Sequence, residues 1–114
     1  LLEGIPASAR SQYFERDASD RRAWRVCDAA RSLVAFRELN LNGPSWPMKG
    51  PFDAIFCRNV VIYFDEPTQE RVWSRFAPLV APGGRLYVGH SERVGGNITA
   101  FESCGLTAYR KVGR

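Results

Sequence analysis

The run Phe52-Asp53-Ala54-Ile55-Phe56-Cys57 is almost continuously apolar and is preceded by glycine and proline. Such a run predicts a short strand covered on both faces. Arg85-Leu86-Tyr87-Val88-Gly89 has the same character and predicts a second buried strand. Between them, Val72, Phe76, Leu79 and Val80 form an apolar stripe at helical spacing. Asp65 is a good N-cap for that helix, and Pro67 fits its first turn. Pro78 shortens its last turn, and Pro82-Gly83-Gly84 stops it. Asn59 to Phe64 continues the apolar run but must contain a turn. Ser91 to Ala100 reads as a loop, and Leu106 to Val112 (LTAYRKV) as a last, alternating strand.

The first third is less regular. Leu1 to Arg16 predicts a short helix, with Pro6 near its start and Ala7, Ala9, Tyr13 and Phe14 as its buried stripe. Asp17 to Arg22 (DASDRR) is turn-like. Trp24-Arg25-Val26-Cys27 suits a half-exposed strand, Ala29 to Leu33 one or two helical turns, and Val34 to Leu39 (VAFREL) another strand. Asn40 to Pro51 contains Pro44, Pro47 and Pro51, and predicts a loop in which Trp46 and Met48 cover a core edge. Strands separated by helices indicate an α/β sheet with parallel members and a right-handed crossover. One good covering helix for about four strands would leave a sheet face bare. That predicts missing chain, as does Leu1 in place of a methionine.

Composition narrows the class. The chain has 114 residues, 45% apolar and 25% charged, which is ordinary for one globular domain. No apolar run reaches the roughly 18–20 residues of a membrane helix, and no secretion signal is visible. The net charge of +4 favours an acidic partner without naming one. Cys27, Cys57 and Cys104 cannot all pair, and their spacing matches no zinc pattern. With a single histidine, a metal site is not expected. A reducing cytoplasm is the simplest compartment.

In open α/β sheets, ligands bind just past the carboxyl ends of parallel strands. Three such ends are predicted here: Asn40-Leu41 after VAFREL, Cys57-Arg58-Asn59-Val60 after FDAIF, and Gly89-His90-Ser91-Glu92 after RLYV. Parallel strands would bring all three to one rim. Plainer readings compete at each position. An asparagine after a strand is most often a turn residue. His90 alone fits a hydrogen-bonded rim histidine better than a catalyst, and Cys57 a small core residue better than a nucleophile. Tyr63 and Phe64 could be core aromatics with one polar tip. Arg21, Arg22 and Arg25 read as a solvated face, and no phosphate-loop motif occurs.

The stretch Gly50-Pro51-Phe52-Asp53-Ala54-Ile55-Phe56-Cys57-Arg58-Asn59-Val60-Val61-Ile62-Tyr63-Phe64-Asp65 closely resembles the signature of the chemotaxis receptor methyltransferases, the CheR family. So do Thr68-Gln69, Pro82-Gly83-Gly84 and Gly89-His90-Ser91-Glu92. The resemblance extends back through Leu39-Asn40-Leu41 to Gln12-Tyr13-Phe14 and forward to Thr107-Ala108-Tyr109-Arg110, so it covers nearly the whole chain. It implies an S-adenosylmethionine-dependent transfer of a methyl group to glutamate carboxylates of a chemoreceptor cytoplasmic domain. The implied products are glutamyl methyl esters and S-adenosylhomocysteine. The implied fold is the C-terminal part of a class I, Rossmann-like methyltransferase sheet. FDAIFC would be its fourth strand, RLYVGH its fifth and TAYRKV the final antiparallel one. Residues from about 13 to 33 resemble the family's inserted β-subdomain, leaving about 34 to 114 as core. By the same resemblance Asn40 and Leu41 lie beside the adenine, Asn59 and Val60 near the sulfonium, and Tyr63 at the reaction centre. Arg58 is expected to join Tyr63 in orienting the incoming carboxylate.

The sequence also departs from the family. The first core strand with its acidic glycine loop, the ribose-holding acid and the N-terminal helical domain are absent from this chain. The chain alone is therefore expected to bind S-adenosylmethionine weakly or not at all, and to self-associate through its exposed sheet face. Family members that dock on a receptor's C-terminal pentapeptide carry a Gly-Thr-Gly type loop. Here Arg16-Asp17-Ala18-Ser19-Asp20-Arg21-Arg22 stands in its place, which disfavours that docking and leaves direct receptor recognition. Two other readings stay open. One is a non-catalytic CheR-like signalling or interaction module. The other is a class I methyltransferase with another acceptor, although no aromatic and basic groove for nucleic acid is evident.

Overall fold

A computed structural model describes residues 2–20 and 22–113. They divide into two compact units, Leu1–Glu38 and Leu39–Arg114.

In the first unit, helix α1 (Ala7–Tyr13) starts directly after Pro6. It is shorter than the sequence predicts and buries none of its residues. The chain leaves the helix because Phe14–Arg16 forms strand β1, antiparallel to β2 (Trp24–Val26), with Phe14 opposite Val26. The hairpin is fastened at both ends, by Cys27 N–H to the Tyr13 carbonyl (2.7 Å) and Asp17 N–H to the Ala23 carbonyl (2.9 Å). Its turn is built on Asp17, whose carboxylate accepts the Ser19 backbone N–H at 2.8 Å and the Ser19 hydroxyl at 2.6 Å. One helical turn, α2 (Asp28–Arg31), follows. Leu1 and Arg21, which belong to the predicted helix and basic cluster, lie outside the described residues.

The strand expected at Val34 to Leu39 is not formed. The segment has no regular structure, and Leu33, Val34 and Phe36 are exposed. Its alternation suits a strand, but a strand needs a neighbour's backbone groups, and none of the described strands pairs with it.

The second unit holds a four-stranded mixed sheet in the order β3-β4-β6-β5. Strands β3 (Phe52–Cys57) and β4 (Val80–Val88) are parallel and are joined by helix α3 (Glu66–Phe76). Strand β6 (Ala108–Lys111) is antiparallel to β4, and β5 (Phe101–Gly105) is antiparallel to β6. Asp65 caps α3 as expected, accepting the Thr68 N–H at 3.0 Å. The helix ends at Phe76, and Ala77–Leu79 continues as a 3-10 turn containing Pro78.

Three details correct the sequence reading. Pro82-Gly83-Gly84 does not separate helix from strand; it lies within β4. The register jumps from Phe52 opposite Val80 to Ala54 opposite Arg85, so four residues, Ala81 to Gly84, stand against Asp53 alone and bulge from the ladder. Gly83 takes a positive φ of 79° there. Second, Phe101–Gly105 is a strand, and Leu106 and Thr107 are its turn into β6 rather than the start of the last strand. Third, β3 is an edge strand with one face covered.

The covered face carries the core: Cys57, Val61, Val72, Trp73, Phe76, Val80, Leu86, Val88 and Phe101. Trp46, from the proline-rich loop, closes one edge by tilting against Phe76 with ring centroids 5.2 Å apart. The opposite face is open. Phe56 is 70% exposed there and stacks on Tyr87 at 4.5 Å. The bare face inferred from counting helices is thus present, and it is partly aromatic.

Candidate functional site

The parallel register places Cys57 opposite Val88. The segments beginning at Arg58 and Gly89 therefore leave the sheet from the same edge. Two of the three predicted strand ends do share a rim. The third does not exist as a strand end.

Glu92 joins the two segments. It is a carboxylate only 2% exposed. One of its oxygens, Oε1, accepts the backbone N–H of Gly89 at 2.7 Å and of Asn59 at 2.9 Å. The other, Oε2, accepts those of Val60 (3.1 Å), Val61 (2.8 Å) and Ile62 (3.2 Å). Burial alone would push this carboxyl up, but the backbone N–H groups of Gly89, Asn59, Ile62 and Val61 outweigh it and hold it below the ordinary glutamate value. Nearby burial, with the Glu92 charge adding to it, pushes the Cys57 thiol up to about 11. That keeps it protonated and fits a core residue rather than a nucleophile.

The rim loop gives four consecutive backbone N–H groups, Asn59 to Ile62, to this carboxylate. Asn59 sits in the left-handed region with φ 61°, uncommon for a residue with a side chain. The backbone then closes a 3-10 turn at Val61–Tyr63, where Phe64 N–H bonds to the Val61 carbonyl at 2.9 Å. Val61 points into the core and is fully buried. Its neighbours face outward: Arg58 and Asn59 are exposed, Val60 is 43% exposed and Tyr63 is 80% exposed. Phe64 packs against the core, whereas Tyr63 does not behave as a core aromatic. The loop thus presents a guanidinium, an amide, an aliphatic side chain and a phenol to solvent.

Arg58, Asn59, Val60 and Tyr63 are brought together by this loop. Asn40 and Leu41 belong to a different segment of the second unit. Asn40 forms a local turn, accepting the Asn42 N–H on its side chain (3.1 Å) and the Gly43 N–H on its carbonyl (2.9 Å). That turn is held on the body of α3. Arg71 bonds to the Asn42 side chain, and Arg75 donates to the Gly43 carbonyl at 2.6 Å. Leu41 packs against the core, and its carbonyl accepts the Trp46 indole N–H at 3.2 Å. His90 is exposed on the rim.

The sequence reading missed Glu92 as an individual residue. It stood in the resemblance as the last letter of Gly-His-Ser-Glu, without a role. The available signal was its position: an acid three residues past a glycine that ends a buried strand, where free backbone N–H groups gather. Among the described residues no group of His, Cys, Asp and Glu is placed to hold a metal. No described helix is long and apolar enough to cross a membrane.

A parallel strand pair joined by a helix and extended by antiparallel strands defines a mixed α/β protein, here with the loops that follow the pair meeting on one carboxylate. Residues 1–110 match the family described as CheR methyltransferase, SAM binding domain. A probable chemotaxis protein methyltransferase of Rhizobium etli is 51% identical over 111 residues, which is 96% of this chain and 41% of that protein. The chemotaxis protein methyltransferase of Klebsiella aerogenes is 48% identical over 86% of this chain and 34% of its own length. That of Escherichia coli is 39% identical over 95% of this chain and 38% of its own. The chain therefore belongs to the CheR methyltransferase family, and it spans about two-fifths of the length of these relatives.

Proposed function

We propose that the protein carrying this chain acts in the cytoplasm, transferring a methyl group from S-adenosylmethionine to glutamate side chains of a chemoreceptor and leaving glutamyl methyl esters. The observation that carries this reading is that the family match runs through both rim segments, Arg58–Tyr63 and Gly89–Glu92. The fold supports it: a parallel pair followed by an antiparallel strand suits the last strands of a class I, Rossmann-like sheet, with β3, β4 and β6 as its fourth, fifth and final members. The β1–β2 hairpin suits the inserted subdomain of residues 13 to 33.

The rim side chains fit the proposed cofactor in part. Val60 offers an exposed aliphatic surface and Asn59 a paired donor and acceptor, the chemistry that a nucleoside thioether requires. Asn59 and Val60 would hold it near its sulfonium, and Asn40 and Leu41 would border the adenine. When bound, it supplies an electrophilic methyl group. The acceptor carboxylate is ionised at neutral pH and needs no general base. The tasks left to this chain are alignment and exclusion of water. Arg58 would pair with the incoming carboxylate, and the Tyr63 hydroxyl would donate to it. Both are exposed at the loop tip, as acceptor-facing groups must be before docking.

The test is methyl transfer by the complete natural polypeptide carrying this sequence. Labelled S-adenosylmethionine and a chemoreceptor cytoplasmic domain should give protein-bound label that alkali releases as methanol. Label that resists alkali, or none, defeats the reading. The same assay with the 114-residue chain asks whether this part suffices, and little or no transfer is the expected result. A non-catalytic module would bind receptor without labelling it.

A further inference from the structure

We propose that Glu92 is a positioning residue for the transfer: its ionised carboxylate clamps the two rim segments together and sets the loop that presents Asn59, Val60 and Tyr63. This rests on the function proposed above for that loop, but the clamp itself stands on geometry. Five backbone N–H groups from two chain segments, 30 to 33 residues apart on one side and 3 on the other, converge on one side chain. Each has a bond length of 2.7 to 3.2 Å. Two of the donors, Asn59 and Val60, are themselves the residues assigned to the cofactor. A carboxylate fills this nest because it only accepts. A glutamine of the same shape would turn an NH₂ group toward N–H donors and leave some of them unpaired in a buried place.

The surroundings argue against a merely space-filling role. Gly89 carries no side chain where one would be forced against Glu92: a β-carbon there would lie 2.9 Å from Oε1 and 2.9 Å from the Asn59 nitrogen. Asn59 keeps its left-handed backbone while donating to the same oxygen. Strained backbone at such a site persists when its surroundings over-determine it, and here the carboxylate does so. The five hydrogen bonds that Glu92 accepts all come from backbone N–H groups, so its effect on the rim passes through the backbone.

The test has two independent readouts. In amide hydrogen exchange of the unsubstituted protein, Gly89, Asn59, Val60, Val61 and Ile62 are expected to exchange as a group at least about a hundredfold more slowly than unstructured chain. In Glu92→Gln these five should lose protection while Leu86 and Val88 keep theirs, which separates a local clamp from global destabilisation. In the complete polypeptide, Glu92→Gln should lower kcat/KM for receptor methylation at least about tenfold. Formate should restore part of the activity of Glu92→Ala but not of Glu92→Gln, whose side chain still occupies the space.

The proposal is overturned if the five amides are unprotected in the unsubstituted protein. It is equally overturned if folded Glu92→Gln methylates within about twofold of the parent. The exchange result stands even where no variant folds. If the parent shows the protected amides but no receptor methylation, the functional reading fails and the clamp survives.

Discussion

Gly89 lies against Asn59 so closely that no side chain fits between them. A β-carbon on Gly89 would fall inside contact distance of the Asn59 side-chain oxygen and 2.9 Å from its backbone nitrogen. The Asn59 side chain can turn away, but its backbone cannot move without releasing Glu92. Gly89→Ala is therefore expected to destabilise the chain by about 2–3 kcal/mol. Urea unfolding checks this: the midpoint should fall while the slope stays the same.

The pH dependence of stability follows from Glu92. Its folded value lies below the ordinary 4.5. Above 4.5 the carboxylate is ionised in both states and its contribution is complete. As the pH falls further, the unfolded chain takes up the proton first, and the contribution is lost as pH drops through the depressed native value. Asp65, lowered from 3.8 by the Thr68 hydrogen bonds, acts in the same direction over a slightly lower range. Melting temperatures between roughly pH 3 and pH 7 should fall on the acid side, and Glu92→Gln should flatten that limb.

Tyr63 is exposed at the loop tip and holds no core position. Tyr63→Phe in the complete polypeptide should slow methyl transfer about tenfold or more and leave S-adenosylhomocysteine affinity within about twofold. Single-turnover transfer and calorimetry measure the two separately. Equal turnover would remove Tyr63 from the mechanism.

The three thiols should react in a fixed order. Cys104 is exposed, Cys27 half-buried and Cys57 buried with its thiol near 11. Iodoacetamide at neutral pH should label Cys104 first and leave Cys57 untouched until the chain unfolds. Mass spectrometry of peptides over time reads the order. Cys57 also bears on the alkaline side: its unfolded thiol ionises near 9.0, so stability should decline between 9.0 and about 11.

The open face bearing Phe52, Phe56 and Tyr87 should make the isolated chain self-associate. Light scattering should show a mass that rises with concentration, and Phe56→Lys should suppress the rise. Phe56 is 70% exposed, so the substitution should cost little stability. A constant monomer across concentrations would show that the aromatic pair is tolerated in water.

Legibility in the sequence followed how local each determinant was. The α3 cap at Asp65, the stripe of Val72 and Phe76 and the two parallel strands depend on neighbours in sequence, and all were readable. VAFREL was misread because alternation states what a strand would look like, not whether another strand lies beside it. Phe101–Gly105 was missed for the converse reason: Glu102, Ser103 and Cys104 are polar or small, yet Lys111 and Arg110 stand opposite in β6 and make the ladder. At the rim, the residue types at 58–63 were visible. Glu92 was visible only as part of the Gly89–Glu92 strand end; its five partners are backbone N–H groups 3 and 30 to 33 residues away, and the sequence does not pair them with it.

The bulge at Pro82-Gly83-Gly84 separates two tasks within β4. Upstream of it, Val80 is set by the exit of the helix; downstream, pairing resumes at Ala54 with Arg85 and runs unbroken to Cys57 with Val88. A relative could lengthen or shorten this detour by a residue without altering the spacing of the rim where Arg58 and Gly89 leave the sheet. Drift in loop length is absorbed at the far end of the strand, and the half that ends at the Glu92 clamp inherits a fixed frame.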